Sequence, residues 1–131
     1  MVAYNFKPQF APLVESGVKR QTIRARGKRR HARPGEALQL YTGQRTKACR
    51  KLIAPDPKCT LVEPLIIILD KETGLDIWFE DQRRYASFDE LEAIAIADGF
   101  GYEKDDPLDE FIRFFEPRCG GDGMESVQIK W

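Results

Sequence analysis

Eight cationic side chains fall within 15 positions of this chain: Lys19, Arg20, Arg24, Arg26, Lys28, Arg29, Arg30 and Arg33. Lys19 supplies a compact ammonium and Arg24 a planar guanidinium, a pair suited to a phosphate or to a carbonyl edge. At this density such a stretch attracts polyanions whatever the net charge of the whole protein. The plainer alternative is a solvated loop whose cations pair with acids elsewhere in the chain, and spacing has to decide between the two.

The net charge conceals the feature. Residues 1 to 51 carry 13 Lys and Arg against two acids, Glu15 and Glu36, whereas residues 52 to 131 carry 8 against 19, so the halves are about +11 and −11 within a formal total of zero. The 131 residues, 42% hydrophobic and 32% charged, suit one soluble, self-folding domain spanning 1–131 rather than a disordered chain. The longest apolar run, Leu65 to Leu69, is far too short for a membrane span, and no charged-then-apolar leader opens the sequence, so a cytoplasmic protein without membrane contact is expected. Cys49, Cys59 and Cys119 are odd in number and widely spaced, which fits free thiols in a reducing compartment. With one histidine, His31, and no CxxC or HExxH pair, neither a metal nor another cofactor is expected.

The elements that must position these residues follow from periodicity. Residues 9 to 17 place Phe10, Leu13 and Val14 at helical spacing and end at Gly17, a residue suited to a left-handed cap. From Lys19 to Arg26 the roughly alternating KRQTIRAR predicts a strand with one wet face. An unbroken strand would put Lys19 and Thr22 on opposite faces, so a joint role for them requires a turn or bulge near Lys19. GKRRHARPGEA reads as an exposed loop closed by Pro34-Gly35, followed by a strand over residues 37–42 and a returning partner in TKACRKLI. Residues 59–70 are strand-prone with a bulge or strand change expected at Pro64, and KETG turns into LDIWFE, so 70–86 reads as an added hairpin. Helices are predicted over 89–97, capped by Ser87 or Asp89 and ended by Gly99, and over 107–115, with SVQIKW as the closing strand. Tyr41, Trp78, Phe79, Tyr85 and Phe100 could stack on bases if they face a cleft, although such a residue taken singly is more often core.

The ordered strings GVKRQTIRAR, HARPGEALQLYTG, ADGF, FIRFFE and a terminal IKW resemble the ASCH family over most of the chain. That resemblance implies an α+β, PUA-like antiparallel β-barrel of five to six strands flanked by two to three short helices, with a cleft lined by the GxKxxTxR residues Lys19, Thr22 and Arg24. It also implies binding of RNA or a modified nucleoside; joined to the basic density and the aromatic reading above, this gives Lys19, Arg20, Arg24, Arg26, Lys28, Arg29, Arg30, Arg33 and Tyr41 as the nucleic-acid-binding set.

At the same positions the chain is similar to a small amidohydrolase that deacetylates N4-acetylcytidine. The carry-over makes Lys19 the base, Thr22 the nucleophile and Asp98 the proton donor, with Asp98 standing where that family has glutamate and Glu103 as the alternative acid. A lysine base near neutral pH needs its pKa lowered by burial or by a neighbouring cation. The leading expectation is an RNA-binding module, monomeric and able to take DNA as well. An amide hydrolase, a metal-independent ribonuclease and a protein-interaction domain are the alternatives.

Overall fold

The structure is a computed structural model and describes residues 2–102 and 105–131. Strand β1, Val2–Phe6, alternates so that Val2, Tyr4 and Phe6 face inward, as period-two patterning requires. It lies beside β3, Leu38–Thr42, which buries Leu38, Leu40 and Thr42 in the same way. Between them come the short helix α1, Ala11–Glu15, and strand β2, Gln21–Ala25. Strand β4 is only Arg50–Lys51, so most of TKACRKLI is turn rather than returning strand.

A larger sheet has the order β2-β8-β5-β6-β7, where β5 is Leu61–Asp70, β6 Gly74–Phe79, β7 Arg84–Tyr85 and β8 Met124–Lys130. Its pairings are all antiparallel. β1 and β3 instead run parallel, which corrects the expectation of wholly antiparallel pairing. Parallel neighbours need a long crossover, and residues 7–37 supply it through α1 and β2. The described strands thus form two sheets, and with three helices the class is α+β.

Pro64 sits in β5 without the expected bulge, its register running evenly from Val62↔Ile129 to Leu65↔Ser126. Its carbonyl, and with it the nitrogen that lacks a hydrogen, faces the β6 side, where the ladder has ended at Leu65↔Phe79 and only Glu80 N–H reaches back to Pro64 O at 3.2 Å.

Helix α2, Phe88–Ala97, starts at a capping box: the Ser87 hydroxyl accepts from Glu90 N–H while the Glu90 carboxylate accepts from Ser87 N–H. Leu91, Ile94 and Ala95 turn into the core, as the spacing predicts. Helix α3, Pro107–Phe115, is capped by Asp106 and buries Phe111 and Phe115 against Phe100. Strand β8, central between β2 and β5, buries both faces, with Val127 and Ile129 on one side and Ser126 and Gln128 on the other. Cys49, Cys59 and Cys119 are free thiols, exposed, buried and half-buried respectively. No helix among the described residues is long and apolar enough to cross a membrane.

Candidate functional site

The join between α1 and β2 sets the site. Gly17 takes a left-handed φ of +81°, Lys19 N–H donates to Leu13 O at 3.0 Å, and sheet pairing starts only at Gln21↔Lys130. Lys19 therefore lies in the turn ahead of the strand. The period-two objection to a joint role with Thr22 does not apply, and Lys19, Thr22 and Arg24 line one cleft of about 330 Å³.

Opposite them, the C-terminal end of α2 brings in Asp98. Gly99 follows it at φ +103° and turns the chain away from the helix. Lys19 Nζ donates to the Asp98 carbonyl and lies 3.1 Å from Asp98 Oδ1, with the two side chains only 2% and 6% exposed. Burial pulls the Lys19 pKa below the ordinary lysine value, with Asp98 opposing and Arg24 adding to the fall. Burial likewise pushes the Asp98 carboxyl up, against the Lys19 charge and the bonds from Lys19 and Gln21. Gln21 is itself held by Gln128, whose Nε2 donates to Gln21 Oε1 at 2.8 Å. The other acid considered from sequence, Glu103, lies outside the described residues.

Arg24 forms the second half of the site. Its Nε donates to Thr22 Oγ1 at 2.9 Å and its Nη2 to Asn5 O at 2.8 Å, while its guanidinium carbon stands 4.9 Å from the Phe6 ring centre. Lys19 Nζ is 5.0 Å from the Phe10 ring centre. The Thr22 hydroxyl accepts from Arg24, which polarises it and leaves its own hydrogen free to donate. Among the described residues Lys19 bonds to Asp98 and not to Thr22. The cleft thus sets hydrogen-bonding groups beside Phe6, Phe10, Phe114 and Phe115, with Lys19 and Arg24 over the Phe6 ring, Lys19 over Phe10, and Lys7 and Arg118 over Phe114.

The basic arm is less free than its charge suggests. Arg26 pairs with Glu80 at 2.6 Å, and Arg30 holds Glu36 through two bonds of 3.0 and 2.8 Å. With Lys28 and Arg29 these residues border a second cavity, which meets the cleft at Asn5, Arg24 and Ala25.

Three residues of the expected binding set lie apart from both. Arg20 borders a separate hollow beside Lys130 and Trp131 because it precedes β2 on the opposite side from Lys19. Arg33 is fixed by its backbone bond to Glu36, and Tyr41, opposite Lys51, alternates away from the inward Leu40 and Thr42. Nor do the other expected aromatics serve the cleft. Phe79 and Phe100 are core, and Trp78 packs on Tyr85 with ring centres 4.8 Å apart at the β6–β7 edge.

The phenylalanines that do line the cleft, Phe6, Phe10, Phe114 and Phe115, are not legible as site residues in the sequence, because each reads locally as core. The alternation of β1 ending at Phe6 and the aromatic run FIRFF were the available signals. Among the described residues no group of three or more His, Cys, Asp or Glu is placed to hold a metal ion. Comparison with family models, with curated proteins and with solved structures finds no match for this chain.

Proposed function

We propose that this chain is an RNA-binding protein of the ASCH type, with a PUA-like barrel formed by its two sheets, and that its cleft receives one unstacked base or modified nucleoside. The carrying observation is the composition of that cleft: Lys19, Thr22, Arg24 and Asp98 meet at polar positions inside a cavity of about 330 Å³ whose remaining surface includes four phenylalanine side chains. Ring faces accept any base by stacking, and fixed donors and acceptors read its edge. The ordered ASCH-like strings supply the family reading.

The test is equilibrium binding of the common ribonucleosides, N4-acetylcytidine and short single-stranded RNA, to the native protein and to Thr22→Val and Arg24→Lys. Thr22→Val keeps the buried volume and removes only the hydroxyl. Loss of affinity by about ten-fold, the worth of one hydrogen bond to a charged or buried group, is expected for each variant. Binding that ignores both changes, or no binding by the native protein, overturns the reading.

One observation favours amide hydrolysis as a second reading: burial draws Lys19 toward the neutral amine a base must be, with an acid and a hydroxyl in the same cleft. Thr22 Oγ would attack the acyl carbon and pass its proton to the Lys19 amine. Asp98 would give a proton to the departing amine, and water would then cleave the threonine ester. Lys19 must first exchange its bond to Asp98 for one to Thr22. Acetate release from N4-acetylcytidine, abolished by Thr22→Val, is the expected result, and the absence of release ends this reading.

A further inference from the structure

The arm of residues 26–33 closes over a cavity of about 310 Å³ bordered by Arg24, Arg26, Lys28, Arg29 and Arg30 and, among the described residues, by no carboxylate. Its wall toward the cleft is Asn5, Arg24 and Ala25, shared by both cavities. Arg24 therefore stands between a cleft that combines phenylalanine rings with Lys7, Lys19, Arg118 and Asp98 and a cavity whose charged residues are all cations.

The cationic pocket is preformed. His31 Nδ1 lies 3.0 Å from the Tyr4 hydroxyl, the two rings stack at 5.9 Å, and His31 Nε2 is 2.9 Å from Ala25 O. Ala25 O and Arg26 O can only accept, so His31 Nε2 carries the hydrogen it shares with them at 2.9 and 3.2 Å, while Tyr4 Oη accepts from Ala32 N–H at 3.1 Å. One end of the arm is thus tied to β1 and the other to Glu36 through Arg30 and the Arg33 N–H.

The charges left for a ligand can be named. Arg26 and Arg30 are neutralised by Glu80 and Glu36. Lys28 forms no ion pair among the described residues, and Arg29 donates only to the Ala3 carbonyl at 3.3 Å. Together with Arg24 that is a locus for one phosphate, not a track for many.

Resting on the base-binding reading above, we infer that the site is bipartite: the cleft takes the base, the cavity beside it takes a phosphate of the same nucleotide through Arg24, Lys28 and Arg29, and the ligand is a nucleoside phosphate rather than a free nucleoside. The phosphate belongs to a free mononucleotide or to one residue of a single strand, which the arms of the test separate.

Calorimetric titration compares each ribonucleoside, including N4-acetylcytidine, with its 5′- and 3′-monophosphate, with inorganic phosphate and with single-stranded RNA trinucleotides. The native protein is set beside Lys28→Glu/Arg29→Glu, both surface positions. One monophosphate binds about ten-fold tighter than its nucleoside, in line with a charge-assisted bond, and the double variant loses that increment while keeping nucleoside affinity. A trinucleotide tighter than the monophosphate identifies the strand as the source, and equal affinity identifies the mononucleotide.

Nucleoside and monophosphate binding alike would overturn the phosphate locus and leave base binding standing. So would an increment that survives charge reversal. Binding of inorganic phosphate as tight as any nucleotide, with nucleosides silent, would overturn both the bipartite site and the reading it rests on.

Discussion

Lys19 and Asp98, 79 positions apart in sequence, form one buried ion pair with 3.1 Å between Nζ and Oδ1. Two desolvated charges are tolerated there because each satisfies the other and because the Asp98 carbonyl and the Gln21 side chain complete the bonding. Removing one partner strands the other. Lys19→Met and Asp98→Asn are each expected to lower unfolding free energy by about 3–5 kcal/mol, and the double variant by less than the sum. Urea unfolding of the four proteins measures this coupling, and simple additivity would mean that the two groups do not hold each other.

Gly99 couples the helix end to the cleft. It reads from sequence as a helix stop, and its φ of +103° bears that out, but a Cβ there would also lie 2.9 Å from Phe10 Cδ1 and 3.2 Å from Lys19 Cδ. Gly99→Ala thus combines backbone strain of about 1–3 kcal/mol with displacement of one ring and one cation of the site. A lower denaturation midpoint is expected together with weaker nucleoside binding. Undiminished binding in a folded variant would show that the cleft does not depend on that packing.

This dual role shows what the sequence made legible. Lys19, Thr22, Arg24 and Asp98 were identified by ordered strings, and all four meet in the cleft. Periodicity alone separated Lys19 from Thr22, because alternation does not reveal that sheet pairing begins at Gln21. The phenylalanine walls were missed for a different reason: Phe6 and Phe114 meet at the cleft only after β1 and α3 have packed across more than 100 residues, and each carries a local pattern that any core residue shares. Composition leaves the arm open between a polyanion surface and a loop whose cations pair with acids elsewhere, and the fold realises part of the second: Glu36 claims Arg30 from close by in sequence, and Glu80 reaches Arg26 from the acidic half.

Glu90 gives a pH-dependent contribution away from the cleft. Its carboxyl is held down from 4.5 to about 2, first by the bond from Arg84 and then by the Ser87 backbone N–H. A folded-state pKa below the unfolded one contributes stability that is present above 4.5 and is lost as pH falls toward 2. Glu90→Gln should therefore lower Tm at pH 7, less so in high salt because the pair is exposed, with the difference closing between pH 4.5 and 2. Thermal melts across that range test it, and a difference independent of pH would assign the loss to the capping box alone.

Tyr4 decides whether the arm is a preformed pocket or a loop that happens to lie near one. Its hydroxyl joins His31 Nδ1 to the Ala32 N–H, and its side chain borders the cationic cavity but not the Lys19–Arg24 cleft. Tyr4→Phe keeps the ring stack and the contact with Arg24 but strips both polar partners of their oxygen, at a cost of about 1–3 kcal/mol for the buried Ala32 N–H. Amide exchange should then accelerate over residues 27–33 while β1 and β3 stay protected. If the phosphate locus depends on that tether, the variant binds nucleosides as the native protein does and binds monophosphates more weakly. Faster exchange with the monophosphate increment intact would place the phosphate on Arg24 alone, without the arm.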